Sequence, residues 1–441
     1  MSTQPPPAPQ ADAPSGGPSG CPEYLALSRR RFIAASGVTA LAAATPAWLP
    51  RVAVAREYRS SMRDVIVSIY LRGANDGLNM VVPHADPAYY TARPNLAVPA
   101  PSSGQANRAT DLDGFFGLPP AMTALIPAYQ SGQLLFVHAT GSHDPSRSHF
   151  DAQRFMEVGK PADPTLATGW LGRHLANIDP MMPGALLRGV GISTGLMRTL
   201  VGAPQTLPIP NLDTFDLGGA SGTRPARRGA IEDMYEDQPD PIHAAAITTL
   251  QTIDLLNTIN FAGYVPTGGA VYPTGTFGTS LKSTAALLKA QVGVEAVAID
   301  LGGWDTHANQ GTLTGTMANL MAQVAQGLAA FHADLNSGAV QPSHIVVCMS
   351  EFGRRVQENG SLGTDHGHGN CAIVMGNAVN GGRVLAQWPG LAPDQRYEGL
   401  DLNVTIDYRD LLAEILSQRL GATDLGTIFP SFVPTDRGVL L

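Results

Sequence analysis

Hydrophobic and polar positions fall into blocks whose lengths separate strands from helices. Val65 to Leu71 (VIVSIYL) is an unbroken β-rich run, the pattern of a strand buried on both faces. Leu134 to His138, Val294 to Leu301, Ser343 to Met349 and the CAIVM run ending at Met375 read the same way, and Gly189 to Ser193 is a shorter run. Pro119 and Pro120 suit a first helical turn, after which Met122, Leu125, Ile126 and Tyr129 share a face. A helix is expected from about Phe150 to Val158. Met317, Leu320, Met321, Val324, Leu328, Phe331 and Leu335 recur at three- and four-residue spacing, an amphipathic helix stopped by Asn336 and Gly338. Asp407 caps a further helix that turns Leu411, Leu412, Ile415 and Leu416 inward, and Gly421 closes it.

Between residues 160 and 290 the periodicity weakens. A helical pattern runs from Ile231 to Leu256 and another from Leu281 to Val292, while Arg224, Arg227 and Arg228 sit in a polar stretch expected to be mobile. This middle reads as an irregular insertion of helices and loops on one side of a sheet. The strand, helix, strand succession from Val294 to Met349 is a βαβ unit, which makes its two strands parallel. The expected fold is therefore α/β, a doubly wound and mostly parallel sheet with flanking helices.

Polar groups gather where these strands end. Asp76 follows the first, between Gly73 and Gly77, where an Asp-Gly turn is the plainer explanation. The loop after Leu134–His138 carries His143, Asp144, Ser146, Ser148, His149 and Asp151. Asp305 and His307 follow the Val294–Leu301 run. Glu351 follows the next, and the GTDHGHGN loop supplies Asp365, His366 and His368. Ligands of open parallel sheets bind outside the carboxyl ends of the strands, so four such loops at one edge point to one site. Mixed carboxylate and imidazole donors suit zinc or manganese, and suit calcium less well because it prefers oxygen shells. Ser148 is either a helix N-cap or a nucleophile, since helix N-termini stabilise anions. Arg354 either holds an anionic substrate or forms an ion pair.

Composition narrows the partners. The chain carries a formal net charge of −8, which argues against nucleic acid and against an anionic membrane surface. Residues 1–27 are rich in Pro, Ala, Gly and Ser and are expected to be disordered. Ser28-Arg29-Arg30-Arg31-Phe32-Ile33, a weakly apolar stretch and Ala53-Val54-Ala55 then resemble a twin-arginine export signal with its cleavage site. The mature chain, residues 56–441, is expected to form one domain, exported through the twin-arginine translocase to the periplasm or beyond. No later apolar run reaches the roughly 20 residues that span a bilayer. Cys348 and Cys371 lie in apolar runs as small hydrophobes, too few for a disulfide framework.

The motifs RGANDGLNMVVP, SRSHFDAQRFMEVG, GGWDTH, SEFGR and GTDHGHG resemble the exported bacterial family known as DUF1501, over roughly Val65 to the C-terminus. That family is distantly similar to the alkaline phosphatase and sulfatase superfamily. The resemblance implies a two-metal centre at the carboxyl edge of the sheet. Asp76 would be a ligand after the first strand, Ser148 would lie in the nucleophile region, and Asp305 and His307 would serve one metal. His366 or His368 would match the late histidine ligands. Two departures stand out: Ser350-Glu351 occupies the place of an expected Asp-His pair, and the Asp305/His307 spacing is short. One metal site is therefore expected to be altered or missing. The leading expectation is a metal-dependent hydrolase of phosphate or sulfate esters, small-molecule or glycan. The alternative is a non-catalytic cell-envelope protein using a degenerate site for structure or for binding a glycan or partner.

Overall fold

The computed structural model describes residues 63–441; the export signal and its cleavage site lie outside the described residues. Nine strands form one sheet: β1 (Val65–Leu71), β2 (Leu134–Gly141), β3 (Gly189–Ile192), β4 (Thr206–Pro208), β5 (Ala296–Leu301), β6 (His344–Met349), β7 (Asn370–Gly376), β8 (Arg383–Leu385) and β9 (Ile406–Asp407). Their spatial order is β8-β2-β7-β6-β1-β5-β3-β4, with β9 also paired to β2. β5 and β6 both pair in parallel with β1, so the Val294–Met349 crossover spans the central strand. β7, which 20 residues link back to β6, alone in this sheet runs antiparallel to its neighbours. The architecture is mixed α/β, with a large and mostly parallel sheet.

Alternation along β1 divides the core. Val65, Val67, Ile69 and Leu71 enter one cluster, while Ile66 and Tyr70 enter another. Helices α1 (Thr276–Lys289) and α2 (Thr316–Leu335) cover the first face through Leu281, Leu288, Met321, Leu328 and Phe331. The expected apolar stripe of α2 is the buried one. Helices α3 (Trp170–Ala176) and α4 (Tyr408–Arg419) cover the other through Trp170, Leu171, Leu412 and Leu416. Asp407 caps α4 by accepting the Arg409 N–H. Helix α5 (His149–Val158) leads from the loop after β2.

Several local expectations change. Residues 120–130 form a 3-10 helix and then a short α-helix, Ile126–Gln130, rather than one continuous α-helix, although Met122, Leu125, Ile126 and Tyr129 do pack toward the same core cluster. Arg224, Arg227 and Arg228 lie in a helix, Arg224–Glu236, not an irregular stretch: Arg224 and Arg228 pair with Asp254 of the next helix. The 231–256 pattern is therefore two helices, since Pro239 and Pro241 interrupt it before Ile242–Asn257. The 160–290 region also extends the sheet, since β3 pairs with β5 and β4 pairs with β3. Cys348 and Cys371 are free and buried on the same face, and burial pushes the Cys371 thiol up to about 12. Among the described residues no helix is long and apolar enough to cross a membrane.

Candidate metal centre

Strand direction assembles the site. The carboxyl ends of β1, β2, β5 and β6 and the amino end of antiparallel β7 share one edge. The 353–355 and 365–369 segments then run side by side: Gly353 N–H donates to the His368 carbonyl, Gly367 N–H to that of Gly353, and Arg355 N–H to that of Asp365. A side chain at 367 would put its Cβ 2.4 Å from the Arg354 carbonyl carbon, so glycine spacing in GTDHGHG is what permits the approach. Gly73 acts similarly after β1. Its φ is +112°, and a Cβ there would stand 2.7 Å from the Asp305 nitrogen.

At this edge three imidazoles and one carboxylate meet. His366 Nε2 lies 3.0 Å from His149 Nε2, 2.9 Å from His307 Nε2 and 3.1 Å from Asp305 Oδ1. Asp305 Oδ1 is 3.0 Å from His307 Nε2 and 3.4 Å from His149 Nε2. His149, Asp305 and His366 offer ligand atoms that all lie within 4.8 Å of one another. Each ring has an acceptor behind it. His149 Nδ1 faces Glu351 Oε1 at 2.7 Å, His307 Nδ1 faces Asp365 Oδ1 at 3.3 Å, and His366 Nδ1 donates to the Arg147 carbonyl at 2.8 Å. Protons on the Nδ1 atoms leave Nε2 lone pairs pointing toward one another and toward a carboxylate. Such an arrangement is repulsive unless a cation or a proton lies among them. An acceptor behind each ligating imidazole is the usual outer shell of zinc histidines, and the donor set fits zinc or manganese.

Electrostatics follow the same layout. Burial works against charge on His149, but its hydrogen bond to Glu351 and the Glu351 and Asp305 charges win, raising its pKa. Burial lowers His366 despite the Arg147 carbonyl and Asp305. Asp305 is held down at about 2, because Arg354 outweighs its partial burial.

The seven residues expected to bind metal separate into three groups. Asp305, His307 and His366 contribute ligand atoms to the cluster. Glu351 and Asp365 stand behind His149 and His307 instead, and Glu351 is already filled: Oε1 accepts from Gly73 N–H, His149 and Gln153, and Oε2 from Ser350. Asp76 and His368 face other partners. Asp76 Oδ2 accepts from Arg93 (2.6 Å) and Gln310 (2.7 Å), and Gln310 in turn ties Thr306 to Thr364. His368 is buried in a stack on Tyr397, ring centroids 4.2 Å apart, which with neighbouring His143 and Arg147 pushes it down to about 4. Ser148 is exposed at the N-cap of α5, where Oγ accepts the Asp151 N–H at 3.5 Å. Arg354 is fully buried and donates to the carbonyls of Gly73, Ala74, Trp304 and Thr364 and to Asp305. The cluster residue missing from the expected set is His149. It was visible in the loop after β2, but no spacing motif joined it to His366, which lies 217 positions away.

A family model described as "Protein of unknown function (DUF1501)" matches residues 273–427. GGWDTH, SEFGR and GTDHGHG lie inside that span, and His149 lies outside it. No curated protein matches the chain. Among solved structures, the chain is similar to the C-terminal periplasmic domain of EcEptC from Escherichia coli in complex with zinc. The identity is 12%, the TM-score 0.38, and the match covers 85% of this chain and 88% of that one.

Proposed function

We propose that this chain is an exported metal-dependent hydrolase of phosphate or sulfate esters on a doubly wound, alkaline phosphatase-like fold. One observation carries the reading: three Nε2 atoms converge on the Asp305 carboxylate, each with an acceptor behind its Nδ1. His149, His307, His366 and Asp305 would hold one zinc or manganese ion, which would supply Lewis-acid polarisation of a phosphoryl or sulfuryl oxygen. Glu351, Asp365 and the Arg147 carbonyl keep the protons on Nδ1 and the lone pairs inward. Arg354 positions Asp305. Ser148 is the candidate nucleophile: its hydroxyl accepts the Asp151 N–H and so keeps its own proton available for transfer. Asp76 and His368 hold loops rather than metal.

Metal content of the mature protein, measured beside a His307→Ala/His366→Ala variant, tests the ligand set. Near-stoichiometric zinc or manganese lost in the variant is expected, and absence of metal from both would sink the reading. Turnover of aryl phosphates or sulfates in zinc or manganese, abolished in Asp305→Ala and in Ser148→Ala, tests the chemistry. A non-catalytic envelope role is the second reading, favoured by the commitment of Asp76 to Arg93, which leaves a single ligand cluster among the described residues. Metal binding without turnover of any ester would select it.

We further propose that residues 56–441 fold as one domain carrying 160–290 as an insertion, which limited proteolysis to two separate resistant cores would refute. Export by the twin-arginine route would fit loading of the metal before transport. Replacing Arg29 and Arg30 by lysine should trap the protein in the cytoplasm; normal export of that variant would exclude the route.

A further inference from the structure

We infer that a cleft between α1 and the segments leaving β3 and β4 binds a neutral saccharide ring. Thr276, Thr279, Ser280 and Ser283 stand at i, i+3, i+4 and i+7, which puts four hydroxyls on one face of α1. The other face is committed to the core through Phe277, Leu281, Ala285 and Leu288. Ile192 at the carboxyl end of β3, with Pro210 and Asn211 after β4, lines the rest of a cleft of about 180 Å³. β3 runs parallel to β5, with Ile192 opposite Ile299, so the cleft lies at the edge where the loop after β5 carries Asp305 and His307. Parallel sheets bind their ligands at that edge. No residue is shared with the imidazole cluster, so the inference holds whether or not the centre hydrolyses esters.

Hydrogen-bonding capacity in this cleft is left open. Ser280 is only 8% exposed, yet among the described residues its hydroxyl has no hydrogen-bond partner. Hydroxyls inside helices often turn back to the carbonyl four residues earlier, as those of Thr249, Thr252 and Ser417 do. Ser280 does not, and it lines the cleft instead. The hydroxyls of Thr276 and Thr279, at the exposed mouth, are likewise without partners among the described residues. Ser283 Oγ donates to Asp213 Oδ1 at 2.6 Å, which leaves it as an acceptor. A buried hydroxyl is costly until something pairs with it. The cleft has no charged lining, hence no counter-ion for a phosphate or sulfate and no anionic ligand for a cation. Hydroxyls along one wall with Pro210 and Ile192 across from them suit a ring with hydroxyls at its rim and C–H groups on its face. A pyranose has that form, and the volume admits a single such ring.

Saturation-transfer NMR titrations of the mature protein with the methyl pyranosides of glucose, galactose and N-acetylglucosamine test this, with cyclohexanol as an apolar ring of similar size. At least one pyranoside should bind saturably, and more tightly than cyclohexanol. Ser280→Ala should weaken that binding about three- to tenfold, as loss of one neutral hydrogen bond implies. Thr279 is exposed, so Thr279→Arg leaves the core untouched while its long side chain closes the mouth, and pyranoside binding should be lost. Thermal midpoint and metal content should match wild type in both variants, which shows that the fold and the neighbouring centre are intact. Absence of saturable binding by every pyranoside overturns the inference, as does cyclohexanol binding as tightly as the sugars. Pyranoside binding that is unchanged in Ser280→Ala or survives Thr279→Arg puts the sugar elsewhere and also overturns it.

Discussion

Glu351→Gln isolates the charge behind His149 with little change of shape. Glu351 Oε1 accepts from His149 (2.7 Å), Gly73 N–H (2.9 Å) and Gln153 (2.8 Å), and a glutamine carbonyl keeps all three donors. The new amide replaces Oε2 and donates to Ser350 Oγ, whose single proton turns from Glu351 to the Leu71 carbonyl. The ring of His149 therefore keeps its orientation and loses only the carboxylate charge. Outer-shell partners of this kind are worth about 10- to 100-fold in metal affinity, or about 1.4–2.8 kcal/mol. The sign of the pH dependence follows from His149. Burial would lower its pKa, but the Glu351 hydrogen bond and the charges of Glu351 and Asp305 raise it above the ordinary histidine value. Metal requires the neutral ring, so protons compete with metal at higher pH in wild type than in the variant. The affinity gap should be widest near pH 8 and narrow toward pH 6. Competition titrations of zinc against a chromogenic chelator at both pH values measure it. Equal affinities at pH 8, or a gap that widens on acidification, would refute the assignment of Glu351 as the partner of His149.

Gly73→Ala forces a Cβ to within 2.7 Å of the Asp305 nitrogen at a φ of +112°. Zinc affinity should fall more than about tenfold while the far-ultraviolet circular dichroism is retained, since strain at such a φ costs on the order of 1–3 kcal/mol. Phe331→Ala empties a fully buried position on α2 and should lower the unfolding free energy in urea by about 3–5 kcal/mol. Burial holds His138, His332 and His368 down at about 4 and His174 at about 3. In the unfolded chain they take up protons near pH 6.5, so the unfolded state binds more protons as pH falls from 6.5 to 4 and stability is lost across that window. For fully buried His138 this is on the order of 3 kcal/mol. His149, shifted upward, acts in the opposite sense: its stabilisation is complete below pH 6.5 and lost above its folded pKa. Urea midpoints of the metal-free protein between pH 7 and 4.5 check the balance, and His138→Gln should flatten the profile.

The order of elements was legible because burial imposes periodicity directly on the chain. β1 occupies the residues its apolar run marked out, and α2 buries the stripe that spacing displayed. Loops were harder. The break at Pro239 and Pro241 was written in the residues, yet the periodicity on both sides concealed it. In the 160–290 region the run at Gly189 to Ser193 did mark a strand, Gly189–Ile192, whereas Thr206–Pro208, three residues long, is too short to show a pattern of its own.

The site divides along a similar line. Residue chemistry marked the loops, because imidazoles and carboxylates spaced by glycine have few packing uses, and of the seven residues it marked, Asp305, His307 and His366 come together in the cluster. Which of the remaining groups converge and which stand behind them was decided by the tertiary structure. Glu351 and His149 are 202 residues apart, and nothing local says that the imidazole faces the cluster and the carboxylate stands behind it. Arg354 and Arg355 are adjacent, yet one is enclosed by carbonyls and the other is partly exposed near Asp365. Arg93, 17 positions after Asp76, holds one oxygen of that carboxylate, Oδ2, a pairing the local residues do not announce. The sequence by itself determined which side chains reach this edge of the sheet, because strand periodicity fixes where each loop begins. Only the three-dimensional packing decided which lone pairs face one another, because that depends on rotations of loops that meet across hundreds of residues.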